Sequence, residues 1–202
     1  MPFITEELRK QRIRTTVKIV HGDILTAWID NTRIFEVTLK NVRGKIQKLI
    51  TNFLKQPTTK ADGIKLKDIN KIYYITDTDN CFLDNKIHSQ NKSACLKKIF
   101  NFNEVEMKLN KKIDFDVIFF AKNLENVTDS NPEVLTDKQK EEIAIKFSER
   151  SLKENNYFIK TFKDPGLKIW DSYRESYDGI KSYDGKACNI NNLIDEIESW
   201  KK

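Results

Sequence analysis

The sequence predicts an α/β protein, with a mostly parallel sheet flanked by helices and an irregular, helical C-terminal tail. Three observations carry that expectation. Residues 72–76 (Ile72, Tyr73, Tyr74, Ile75, Thr76) are nearly all β-branched or aromatic, as a buried strand requires, and polar residues follow at once. Residues 115–121, from Phe115 through Val117, Ile118, Phe119 and Phe120, repeat the pattern. Residues 42–55 place Val42, Ile46, Leu49, Ile50, Phe53 and Leu54 at helical spacing, with Lys45, Lys48 and Asn52 on the other side. Apolar strands joined through helical segments fit a parallel arrangement.

Composition narrows the classes further. A chain of 202 residues suits one domain with a small appendage, and its 39% hydrophobic and 10% aromatic content excludes a disordered composition. Thirty-six Lys and Arg against 30 Asp and Glu leave a net charge of +6, which is compatible with a polyanionic partner without requiring one. Cys81, Cys95 and Cys188 share no close spacing, and His21 and His88 are the only histidines, so neither a disulfide framework nor a zinc site is expected. No apolar run reaches the roughly 18 residues of a membrane span. The first residues lack a signal-peptide layout, and a reducing cytoplasm is the expected compartment. No Gly-x-x-x-x-Gly-Lys-Ser/Thr stretch occurs, so the chain is not itself a P-loop ATPase.

In chain order, residues 1–14 read as a basic arm or short helix. Glu6 and Glu7 precede Arg9, Lys10, Arg12 and Arg14, the order a helix dipole favours. Arg9, Arg12 and Arg14 are candidates for phosphate contacts, a solvated face being the plainer alternative. Residues 15–20 read as a first strand, closed by His21, Gly22 and Asp23. Residues 24–30 fit a short helix or a strand with Leu25 and Trp28 buried, and 33–39 alternate as a strand. The stretch is therefore a hairpin or a strand–helix–strand unit. In the 42–55 helix, Lys45 and Lys48 are further candidates for nucleic-acid phosphates. Pro57 ends that helix and 57–63 reads as a polar loop. A loop over 81–93 leads to a helix over 93–100.

Thr136 and Gln139 fit a capping box opening a helix to about 152, with Ile143, Phe147 and Leu152 inward. Residues 156–162 read as another helix, stopped by Asp164, Pro165 and Gly166. Residues 167–191 are irregular, and a last helix over 193–201 presents Leu193, Ile197 and Trp200 on one side. The expected organisation is thus an arm (1–14), an α/β domain (15–153) and a helical, aromatic-rich C-terminal extension (154–202). Tyr157, Trp170, Tyr173, Tyr177 and Trp200 make the extension a candidate docking surface, since interfaces are enriched in such side chains.

The chemistry-bearing stretch is Asp77, Thr78, Asp79, Asn80, directly after the 72–76 strand. In a parallel sheet the carboxyl ends of the strands form the rim where ligands bind. Two carboxylates one residue apart repel each other unless a cation sits between them, and hard oxygen ligands suit Mg²⁺ or Mn²⁺. The plainer alternative is a cap or an Asx-turn. Glu125, just past the second strand, is either a further acid on that rim or a residue in the first turn of the next helix. Haloacid-dehalogenase phosphatases carry Asp-x-Asp on their first strand, whereas here a long segment precedes it and Asn80 and Cys81 follow.

In the order of its elements, over about residues 15–125, the chain resembles the Toprim fold of topoisomerases, primases and nucleases. In size and layout it is similar to the small Toprim proteins of the RloB and AbiL type. The resemblance implies an acid, usually Glu, in the loop after the first strand, joined by Asp-x-Asp from a later strand. Here Asp77 and Asp79 match the latter, and Asp23 stands in the former place, with Glu6, Glu7 or Glu36 as alternatives. It implies Mg²⁺ or Mn²⁺ on Asp77, Asp79 and Asp23, with His21 as a ligand, a base or an ordinary loop histidine. It further implies phosphodiester hydrolysis of DNA or RNA in bacterial phage defence, alongside a separate ATPase subunit. Since His21-Gly22-Asp23 departs from the family's Glu-Gly loop, two alternatives stand. One is a degenerate scaffold that acts by docking; the other is a phosphohydrolase of small substrates.

Overall fold

Both strongly apolar runs form strands, and the two lie side by side. The computed structural model describes residues 24–29, 32–35, 39–79, 81, 85–120, 123–129, 135–154, 156–162, 168–169 and 187–200. The expected arm, the 15–20 strand, His21, Asp23, Trp170, Tyr173 and Tyr177 lie outside the described residues. The elements begin with β1 (Thr26–Ile29), β2 (Thr32–Phe35), α1 (Leu39–Lys55), α2 (Pro57–Ala61), β3 (Lys71–Asp77), α3 (Ile87–Ile99) and β4 (Glu104–Glu106). They continue with β5 (Lys112–Phe120), α4 (Leu124–Asp129), α5 (Asp137–Lys153), α6 (Tyr157–Phe162), β6 (Lys168–Ile169), β7 (Ala187–Cys188) and α7 (Ile190–Ser199). No described helix is long and apolar enough to cross a membrane.

Strands β3, β5, β7 and β6 follow one another in a sheet that β4 joins beside β5. The Asp114 N–H donates to the Asn70 carbonyl (3.1 Å) and the Thr78 N–H to the Phe120 carbonyl (2.9 Å). These bonds ascend both segments together, so β3 and β5 run parallel. β4 and β7 run antiparallel to β5, while β6 runs parallel to β7. The fold is α/β as expected, but the sheet is mixed rather than mostly parallel. The strands that make it so are three and two residues long, too short to show a period of two.

The described residues form two compact units, one from 24–75 and 81–117, the other from 76–79 and 118–200. In the first, β1 and β2 pair antiparallel with Ile29 opposite Thr32, so the hairpin alternative is the one formed. Leu25 is buried as expected. α1 buries Val42, Ile46 and Ile50, and the Gln47 side-chain amide donates to the Glu106 carbonyl of β4 at 2.6 Å. Pro57 does end α1, but it also opens α2 where a loop was expected. A proline at the first helical position lacks an N–H that would have no partner there anyway. α3 begins at Ile87 rather than near 93; its first turn is polar apart from an Ile87 that is 76% exposed, so no apolar spacing marks the start. Only Cys95, Leu96 and Ile99 carry its apolar face inward. Phe102 and Phe115 meet edge to face at 6.3 Å.

In the second unit Phe120, Phe147, Phe158 and Phe162 form an aromatic cluster, closest at the 4.9 Å T-shaped pair Phe158–Phe162. The Phe119 N–H donates to a buried Asn189 Oδ1 at 2.8 Å. The capping box forms: Gln139 Oε1 accepts from the Thr136 N–H and Thr136 Oγ1 from the Gln139 N–H. Leu152, expected inward, is 43% exposed, and Ser151 is buried in its stead. Positions 143, 147 and 151 are four apart and share a helix face, whereas 152 is turned off it. α7 buries Leu193 and Ile197, while Trp200 lies past its end, 36% exposed.

Candidate functional site

Parallel pairing of β3 and β5 brings the carboxyl ends of both strands to one edge, and Asp77 is the last residue of β3. Its Oδ1 accepts the N–H of Leu124, the first residue of α4, at 3.1 Å. The carboxylate is thereby held by a backbone donor of the element that follows β5. Thr78 is 1% exposed, anchored by its N–H on the Phe120 carbonyl. Asp79 is exposed and adopts a left-handed backbone, φ 50°. Asp is among the few residues with a β-carbon that visit this region, at a cost of roughly 1–2 kcal/mol.

Glu125 is half-exposed in the first turn of α4, next to the Leu124 that binds Asp77. The helix-start alternative for Glu125 is the one observed, yet it still sits at the edge where Asp77 lies. Asp77, Asp79 and Glu125 thus stand at the same end of the β3–β5 pair. Among the described residues no three His, Cys, Asp or Glu side chains converge as they would around a metal ion. Asp23 and His21 lie outside them. Lys45, half-buried, and Lys48, exposed, belong to α1 in the other unit.

Cysteine chemistry is a poor fit here. All three thiols are buried, and burial pushes Cys188 up to about 11, against the pull of the Ile190 backbone, so it is neutral near pH 7 and a weak nucleophile. What the arrangement offers is oxygen donors. Mg²⁺ is commonly held by one or two protein carboxylates, with waters and substrate phosphates completing its shell. Asp77 and Asp79 are carboxylates at one edge of the sheet. The Asp77–Leu124 bond, which joins positions 47 apart, had no sequence signal, and the left-handed turn at Asp79 had a weak one. The composition of Asp77, Thr78, Asp79 and Asn80, all turn-forming types, was the only hint of the latter. No protein-family model, curated protein or solved structure matches the chain.

Proposed function

We propose that the chain is a Mg²⁺- or Mn²⁺-dependent phosphodiesterase of nucleic acid, Toprim-like in arrangement, with Asp77 and Asp79 as protein ligands of the cation. The observation that carries this is the placement of Asp77, exposed Asp79 and Glu125 at the shared carboxyl edge of two parallel strands. When bound, the ion supplies an activated water and offsets charge on the leaving oxygen. Asp77 is oriented by the Leu124 N–H, which fixes one of its oxygens before any ligand arrives. Asp79 projects from a strained turn, the kind of backbone that clusters at functional sites. Asp23 and His21, which the resemblance would add, lie outside the described residues. The resemblance to the RloB and AbiL type adds a partner ATPase subunit and a role in phage defence.

A second assignment is a docking subunit with no catalysis of its own. It is favoured by the Asp77–Leu124 bond, which gives Asp77 a structural use. Cleavage of plasmid DNA and of single-stranded RNA, with and without Mn²⁺ or Mg²⁺, separates the two. The phosphodiesterase is expected to need the cation and to lose at least about a hundredfold in rate in Asp77→Asn and in Asp79→Asn, with the fold checked by circular dichroism. Absence of cation-dependent cleavage, or cleavage by both variants at the wild-type rate, leaves the docking subunit.

A further inference from the structure

Residues 39–61, which α1 and α2 occupy, contain Lys40, Arg43, Lys45, Lys48, Lys55 and Lys60 and no Asp or Glu. The longer helix of the other unit, α5, mixes signs, with Asp137, Glu141, Glu142 and Glu149 among its five cations. Opposite charges three or four residues apart are the ordinary means of neutralising a helix surface, and α1 has none. With Val42, Ile46 and Ile50 buried, the outward line of α1 is Gly44, Lys48, Thr51 and Lys55, all exposed and spaced by four, three and four. Arg43, beside this line, and Lys60 of α2 are exposed too. Among the described residues none of Arg43, Lys48, Lys55 and Lys60 forms an ion pair, whereas Lys71, Lys112, Arg150 and Lys153 each do.

Gly44 is the second, independent observation. A glycine inside a helix is destabilising relative to Ala, so a packing reason is normally sought. Here a Cβ would meet nothing within 4 Å, and no neighbour in the described chain requires the space. Bare helix backbone at one end of a cationic face suits close approach by a partner from outside.

We propose that the outward face of α1, from Gly44 to Lys55 together with the exposed Arg43, docks the sugar–phosphate backbone of a nucleic-acid duplex. Gly44 is the point of closest approach. The face carries no aromatic side chain on which unpaired bases would stack, which favours duplex over single strand. Contacts of this kind position a duplex without reading its sequence. The inference takes from the preceding section only that the partner is nucleic acid, and does not use Asp77 or Asp79.

The test is fluorescence anisotropy of a labelled DNA duplex of about 20 base pairs, titrated with the full chain in EDTA over a salt series. Lys48→Gln and Lys55→Gln are each expected to lower the slope of log affinity against log salt by about 0.9. Gly44→Leu is expected to weaken binding about tenfold while raising the melting temperature, since Leu is the better helix former and its Cβ would meet nothing within 4 Å. The inference is overturned if the wild type fails to bind at low salt, or if the double lysine variant keeps wild-type affinity and slope. It is equally overturned if Gly44→Leu binds as the wild type does, or if the matching single strand or phosphatidylserine vesicles bind more tightly than duplex. Because EDTA removes hydrolysis from the readout, a chain that binds duplex through α1 but never cuts it sinks only the phosphodiesterase assignment. A chain that cuts DNA with the lysine variants unimpaired sinks only the α1 surface.

Discussion

Asp77 and Asp79 are two residues apart and differ in what the fold asks of them. Asp77 accepts a backbone hydrogen bond from Leu124, so Asp77→Ala removes the acceptor and is expected to cost about 1 kcal/mol in urea unfolding. Asp77→Asn keeps an oxygen in the same place and is expected to stay within about 0.5 kcal/mol of the wild type. Equal losses in both variants would mean that charge, not the hydrogen bond, holds α4. Cys188 gives a prediction in the alkaline range. Its folded-state value, raised by burial from 9.0 to about 11, lies above that of the unfolded thiol. Unfolding therefore gains from thiol ionisation as pH rises from about 9 to about 11, and stability present below pH 9 is lost across that window. The loss is about 2 to 3 kcal/mol at about 1.4 kcal/mol per unit. Unfolding followed at pH 8 and pH 10.5 should show most of it in the wild type and a correspondingly smaller loss in Cys188→Ala.

At the scale of elements, α5 shows both how a helix is read and where reading slips. Thr136 and Gln139 announce its start by a local pattern, and the capping box forms as its chemistry dictates. Hydrophobicity alone points Leu152 inward, while helical geometry buries Ser151. The Ser151 Oγ has no hydrogen-bond partner among the described residues. Ser151→Ala is accordingly expected to raise stability by about 1 kcal/mol, through a relieved hydroxyl and a better helix former. A loss in that substitution would show that the hydroxyl has a partner. The same logic explains α3 and α2. A polar first turn hid the start of α3 at Ile87, and Pro57 marked a helix beginning as well as an end.

For the whole molecule, the parallel pair β3–β5 was legible because two apolar runs are long enough to declare themselves. The mixed character of the sheet was not, since β4 and β7 are brief and paired by partners remote in sequence. Of the candidate site, the carboxylates and the edge they occupy could be read from Asp77 and Asp79 following a strand. The hold of Leu124 on Asp77 is a tertiary contact without a local pattern, and Asp23 and His21 lie outside the described residues. Asp77 and Asp79 are proposed to bind a divalent cation. The most direct test is the melting temperature of the full chain against rising Mg²⁺ or Mn²⁺, beside Asp77→Asn and Asp79→Gly. Asn retains the acceptor for Leu124, and Gly tolerates the left-handed backbone at position 79, so both variants should fold. A cation that binds only the folded state stabilises by mass action, about 2.7 kcal/mol at a hundredfold excess over its Kd. The wild-type melting temperature should climb with cation concentration while both variants stay flat. A flat wild-type curve up to millimolar cation, or the same climb in all three proteins, would contradict the claim.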